Sequence, residues 1–356
     1  MKGRDALTTL TLIVGLCVSV IPGGAQQPLR QSMPPNTWMN MQAGGIALGA
    51  GVGDEGYSTF VYAPGIRKAL VFGKYNARER GWGEDQNALL AYDLATNRWE
   101  IVEITEDAWS EFLPGVGHDQ GNVAVDPRRD LYITRGNMTL NGNTAYQTYT
   151  YDLRAGRGRR MLPARGPSLL AHEVASGFDP DRGVMLVTRG SSWLYNPDQN
   201  VWTEVPNSPS DRGAPGLAFD SRRRLFVMFG GGMTNETWIF DAGTRAWQRR
   251  SPPVSPSGRQ GAHMAFDPES GLVLLVGGVG PGGVLLPDMW AYDIEQDHWI
   301  PLATTAPPNT ANMVNSLVYH AEEKVFLLKD TSDLRKVYAL RFVPPAPTTS
   351  APQQKR

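Results

Sequence analysis

Tyr92, Tyr195, Phe240 and Tyr292 are each followed, seven residues later, by a tryptophan: Trp99, Trp202, Trp247 and Trp299. That recurrence limits the fold more than any other feature of the chain. A longer unit surrounds it. An apolar strand ends in a turn such as Asp126-Pro127, Asp179-Pro180 or Asp267-Pro268, and a second apolar strand ends in glycine. The aromatic strand and the tryptophan strand follow. Self-similarity at a period of about 40–50 residues marks an array of small repeated sheets, not a conventional enzyme domain.

Six such units can be laid out. Their middle strands are Ala69 to Gly73, Leu131 to Gly136, Val184 to Val187, Leu225 to Gly231, Leu272 to Gly278 and Val325 to Leu328. The segments are short, rich in β-branched and aromatic residues, and bounded by Gly, Pro, Asp and Asn, so each unit reads as a four-stranded antiparallel sheet. No long helical period occurs. Thr105 to Phe112 is the one short helix expected, with Thr105 as its cap. The second unit carries Gly158 and Arg159 where a tryptophan belongs, and the sixth has only three strands. Asn36-Thr37-Trp38 resembles Asn97-Arg98-Trp99. It supplies a candidate fourth strand that would pair near Tyr338 and close a ring, removing an open sheet edge. The alternative is a leader packed on the outside.

Gly231-Gly232 with Trp238 and Trp247, and Gly277-Gly278 with Trp290 and Trp299, resemble the kelch repeat: a glycine pair, an aromatic strand, then a tryptophan at fixed distance. Gly73, Gly136 and Gly190 keep one glycine of the pair, and Lys329-Asp330 keep none. The resemblance covers residues 37–343 and implies an all-β, six-bladed propeller. It says little about function, because a fold hosts many chemistries. The tryptophans read as apolar plates between twisted sheets, not as sugar-stacking surfaces.

The 356 residues carry a formal charge of −1, or −2 without the first 25, where Lys2, Arg4 and Asp5 sum to +1. That balance argues against nucleic acid or an anionic membrane as partner. Lys2 and Arg4, the apolar stretch Ala6 to Val20, and Pro22-Gly23-Gly24-Ala25 read as a secretory signal cut after Ala25, with an uncleaved anchor as the alternative. Residues 26–36 would then be a short leader, and the mature chain would be secreted or periplasmic. Leu16 before Cys17 argues against lipidation. Cys17 is the only cysteine, so the mature chain would have no disulfide and no cysteine nucleophile. Residues 344–356, rich in proline, read as a disordered tail.

In such a ring, one mouth of the central channel is built by the loops entering each inner strand and by those joining the second and third strands. The candidates there are Asp54-Glu55, His118-Asp119, His172-Glu173, Arg212 and Arg259, with the stretch Lys74 to Asp85 carrying Tyr75, Arg78 and Trp82. His118-Asp119 and His172-Glu173 share a phase in successive units and could bind a metal or move protons. Solvent-facing or backbone-bonded histidines are the plainer reading, and no metal or cofactor is expected. Arg212 and Arg259 share the same phase and, with Arg135 and Arg189, would form a basic lobe suited to a carboxylate ligand. His263 reads as packed or channel-lining.

The reading favoured is a monomeric binding module for a protein or glycan. The alternative is a carbohydrate-active enzyme. Kelch-type propellers include galactose oxidase and the sialic-acid mutarotase, but the copper centre of the former needs a cysteine, and no catalytic motif of the latter can be placed on this chain. A cell-envelope scaffold is a third possibility. No P-loop, HExxH motif or acidic calcium loop occurs.

Overall fold

The computed structural model describes residues 29–45, 58–75, 86–102, 121–136, 139–140, 143–144, 147–167, 173–210, 212–308, 313–331 and 333–346. These residues form a six-bladed β-propeller. Blade 1 comprises Val61–Ala63, Lys68–Tyr75, Gln86–Asp93 and Arg98–Ile101. Blade 2 comprises Val123–Asp126, Leu131–Gly136, Gln147–Asp152 and Arg157–Met161. Blade 3 runs Ala175–Asp179, Val184–Arg189, Ser191–Asn196, Val201–Val205; blade 4 runs Gly216–Asp220, Leu225–Phe229, Thr237–Asp241, Ala246–Arg249. Blade 5 runs His263–Asp267, Leu272–Val276, Asp288–Asp293, His298–Thr305.

Blade 6 has Leu317–His320, Val325–Lys329 and Val337–Leu340 from the end of the chain, and Trp38–Asn40 from its beginning. The closing strand pairs Trp38 with Leu340 and Asn40 with Tyr338. The latch imitates an ordinary hairpin. Asn36 is left-handed, as are Asn97 and Asn200 at the matching turns of blades 1 and 3. Its side chain donates to the Val343 carbonyl (2.9 Å) and accepts the Val343 N–H (2.8 Å). Ahead of the closing strand, Leu29–Ser32 is one helical turn, and Met33 is buried in the core shared by blades 1 and 6. Gly44–Gly45 then adds a fifth, parallel strand to the outer edge of blade 1. Residues 1–28, the helix expected at Thr105 to Phe112 and residues 347–356 lie outside the described residues.

The recurrent tryptophans are interblade plates, as their spacing predicts. Trp99, Trp202 and Trp299 are fully buried, and each indole lies 4.7–5.3 Å from the ring of the tyrosine seven residues before it. Each also carries an N–H, which must find a partner when buried. The partner is on the preceding blade, three residues before that blade's own aromatic. Trp202 donates to Thr148 Oγ1 (2.9 Å), Trp247 to Ser192 Oγ (3.1 Å) and Trp299 to Thr237 Oγ1 (2.9 Å). Trp38 points its N–H at Met289 Sδ (3.3 Å), the same position of blade 5. Trp99 closes the series on the Leu334 carbonyl of blade 6 (2.7 Å).

At the opposite end of the blades, the turn aspartates are fully or almost fully buried acceptors. Asp179 Oδ1 takes the N–H groups of Asp181 (3.0 Å) and Arg182 (3.1 Å), and its Oδ2 takes Arg182 Nη1 (2.8 Å). Asp220 repeats the arrangement with Arg223, and Asp126 keeps one turn N–H, that of Arg128, together with Arg129 Nε. The same arginines cross to the next blade: Arg129 to Asp198, Arg182 to Asp241 (3.0 Å) and Arg223 to Glu295 (2.5 Å). An ionic belt thus joins blades 2 to 5 at the turns, as the indoles join them through the core.

Candidate functional site

The inner strands of the six blades enclose a channel of about 310 Å³. Its lining is ordered by distance from the turn residue. The residue just before the turn is Tyr62, Val125, Phe178, Phe219, Phe266 or Tyr319, an aromatic in five of six blades. One step back lie Val61, Ala124, Gly177, Ala218, Ala265 and Val318. Radial sheets converge on the axis there, so small side chains are needed to leave space. A Cβ on Gly177 would stand 2.9 Å from the Phe226 ring. The wall is mostly apolar, and its polar groups largely serve the frame. Ser176 Oγ lies 2.6 Å from the Gly121 and Val123 carbonyls, and Asn315 Oδ1 accepts the Met264 N–H (3.0 Å). At the turn end the Tyr62 hydroxyl donates to Glu322, and burial together with that carboxylate pushes the phenol well above its usual range.

The mouth is a ring of backbone hydrogen bonds. Two residues before the inner strand, Gly121, Glu173, Ala214 and Gly261 all adopt left-handed conformations. Ala214 N–H donates to the Glu173 carbonyl (2.8 Å), Gly261 N–H to the Ala214 carbonyl (2.7 Å), and Phe60 N–H to the Asn315 carbonyl (2.9 Å). The unusual backbone of Glu173 (φ 54°) therefore serves closure of the ring, since Ala214 (φ 52°) shares it without any side-chain chemistry.

The structure places Arg212 and Arg259 inside the wall, not on its surface. Arg259 is fully buried and grips Asp288 with both ends of its guanidinium (2.7 and 2.8 Å), adding Ser257 and the Gly277 carbonyl. Asp288 also accepts Trp290 Nε1 at 2.7 Å. Burial opposes the Asp288 charge most strongly, but the bonds from Arg259 and Trp290 and the Arg259 charge hold its carboxyl below the usual range. Arg212 repeats the pattern in blade 4 with Glu236, which accepts Trp238 Nε1 (3.0 Å) and pairs with Arg249 (2.9 Å). Its guanidinium lies 5.7 Å from the Trp238 ring centroid. The glycine pair makes room for these arginines. A Cβ on Gly231 would stand 2.8 Å from Arg212 Cβ, and one on Gly278 would stand 3.1 Å from Arg259 Cδ. The shared phase of the two arginines reflects a shared clamp from the incoming loop to the third strand. Arg135 is buried as well, bonded to Asn122 Oδ1 (3.3 Å) and the Pro167 carbonyl (2.6 Å).

Glu173 and Arg189 come together. A Cβ on Gly213 would lie 3.0 Å from Glu173 Oε2 and 3.6 Å from Arg189 Nη2, so carboxylate and guanidinium both stand beside the open face of Gly213. His263 is buried at the rim, and its Nδ1 accepts the Ser316 N–H (3.1 Å), fixing a neutral tautomer at that nitrogen. Glu55, Arg78, Trp82, His118, Asp119 and His172 lie outside the described residues. Tyr75 ends the second strand of blade 1, opposite Gln86. Sequence reasoning missed Glu236 and Asp288, although an acidic residue two before Trp238 and Trp290 was there to be seen.

No protein-family model matches the chain. The chain is similar to the multiple epidermal growth factor-like domains protein 8 of Mus musculus, 26% identical over 145 residues. The match covers 37% of this chain and 5% of that protein.

Proposed function

We propose that the chain is an exported kelch-type propeller that works as a binding module, recognising a protein or glycan through the loops at the mouth of its channel. One observation carries this reading: the wall cations Arg212 and Arg259 are locked into the frame by Glu236 and Asp288. Recognition then falls to the loops that the frame holds up, the usual division of labour between rigid scaffold and variable connection. The stretch with Tyr75, Arg78 and Trp82 combines aromatic and cationic groups suited to an interface. The glycine pairs under the two arginines support the kelch assignment.

A thermal-shift panel of neutral and acidic sugars, extended peptides and divalent metals tests the proposal. A ligand at a hundred times its dissociation constant adds about 2.7 kcal/mol of stability. The shift should vanish in Arg78→Ala/Trp82→Ala while the unliganded melting temperature holds. A panel without any shift, or a shift indifferent to those changes, refutes the mouth as the binding surface.

The convergence of Glu173 and Arg189 on Gly213 favours a second reading, a carbohydrate-active enzyme that uses the pair as base and electrophile. Under that reading, anomerisation of an acidic sugar, followed by NMR, accelerates with the protein and slows at least about a hundredfold in Glu173→Gln. Equal rates with and without protein dismiss it.

A further inference from the structure

From Leu153 to Pro167 the chain carries five arginines and no carboxylate, in a molecule whose net charge is −1. Arg154 is engaged by Asp130 (2.6 Å). Arg157, Arg159, Arg160 and Arg165 are exposed and pair with no carboxylate among the described residues. The first three lie on Arg157–Met161, the outermost strand of blade 2, whose other edge carries no strand among the described residues. The remaining outer strands differ. In blade 1 the edge at Arg98 is covered by Gly44–Gly45 and Glu100 is paired with Lys68, Arg249 of blade 4 is paired with Glu236, and the outer strand of blade 5 has neither Arg nor Lys. Blade 2 also has Gly158 in the tryptophan slot, opposite Tyr151, so no indole is fixed there.

We propose that this edge is a second binding surface, taking an extended acidic peptide segment that adds to blade 2 as a further strand. Two features favour a peptide over a flat anionic surface. Side chains alternate along a strand, so Arg157 and Arg159 project to one face of the sheet and Arg160 to the other. An added strand alternates in the same way and brings carboxylates to both faces, while its backbone fills the open edge. Leu162, 68% exposed just beyond the strand, supplies an apolar contact at the end of the ladder. The molecule already accepts such an addition, since Gly44–Gly45 lies on the outer edge of blade 1.

The test uses the full chain and a fluorescein-labelled peptide of alternating Glu and Val, with binding read by anisotropy. The peptide should bind, the Gln/Val counterpart should not, and affinity should fall steeply with salt. Arg157→Gln/Arg159→Gln/Arg160→Gln should weaken binding about tenfold, while the triple Lys variant keeps most of it. Methylating alternate backbone nitrogens of the peptide should weaken its binding to the unaltered protein by a similar factor, because strand pairing is then blocked. Failure of the Glu/Val peptide to bind, or equal binding by the triple Gln variant, overturns the proposal. Equal binding of the N-methylated peptide overturns the added strand and leaves only unspecific capture of anions. If the triple Gln variant melts early, the Lys variant and the N-methylated peptide still decide. None of these readouts touches the mouth, so the loop-binding proposal stands or falls separately.

Discussion

At the scale of single residues, buried donors decide more than apolar bulk does. Trp202, Trp247 and Trp299 each place an N–H on a hydroxyl of the preceding blade. Trp299→Phe should therefore cost about 1–3 kcal/mol beyond lost packing, because Thr237 Oγ1 loses its partner. Trp299→Ala should cost about 3–5 kcal/mol, read from urea unfolding at constant m-value. Arg259→Ala should cost about 3 kcal/mol, because it strands Asp288 beside Trp290, and Arg259→Lys should not restore the loss, since one ammonium cannot replace a two-ended grip. The pH dependence has a definite sign. Asp288 is held below its ordinary value near 3.8, so its contribution is complete above that pH and is lost as pH falls further. The tryptophan spacing was legible because packing between repeated sheets forces it into the chain. The arginine phase was legible too, but its cause was not, because Glu236 and Asp288 join the clamp 24 and 29 residues later and only folding brings them near.

At the scale of elements, the turn residue differentiates the blades. Asp179 and Asp220 each accept two backbone N–H groups and an arginine, Asp126 accepts one N–H and an arginine, and Asp267 takes Ser270 Oγ in place of the arginine. Asp179→Ala should cost about 3 kcal/mol, by leaving two turn N–H groups and Arg182 without their acceptor. Blade 6 has His320 at this position. Its Nδ1 accepts the Glu323 N–H (3.3 Å), and its ring lies 4.8 Å from Tyr62. Burial lowers its pKa below the unfolded value of 6.5, despite the opposing charges of Glu322, Glu323 and Asp93. The unfolded chain binds the proton more readily, so stability is full above pH 6.5 and declines as pH falls below it. His320→Asn keeps an acceptor and should flatten that slope below pH 6.5, measured by melting temperature. The Asp-Pro turns announced the inner hairpins from sequence. The belt from Arg129, Arg182 and Arg223 to the next blade did not, because a charged turn residue looks the same whether it faces water or a neighbour.

At the scale of the whole molecule, closure is the controlling event. The inner strands of neighbouring blades touch all around the ring, Leu317–His320 meeting Val61–Ala63 at the seam. Trp38–Asn40 paired on Val337–Leu340 and Trp99 bonded to the Leu334 carbonyl hold that seam, together with the Phe60 N–H on the Asn315 carbonyl and the Tyr62 hydroxyl on Glu322. Deleting residues 26–41 should lower the melting temperature of the entire ring, not of blade 6 alone, because each blade is stable only between two neighbours. An unchanged single transition in calorimetry would contradict it. Asn36→Ala, which removes both bonds to Val343 and disfavours the left-handed backbone, should cost about 2 kcal/mol. The repeat, the blade number and the closing strand are written in the chain, because they depend on patterns of apolar, aromatic and turn residues that recur along it. Which cations stay available is settled by folding alone. Arg212 and Arg259 vanish into the wall while Arg157, Arg159 and Arg160 stay open, and the difference lies in whether folding delivers a carboxylate to each guanidinium, which no local pattern encodes.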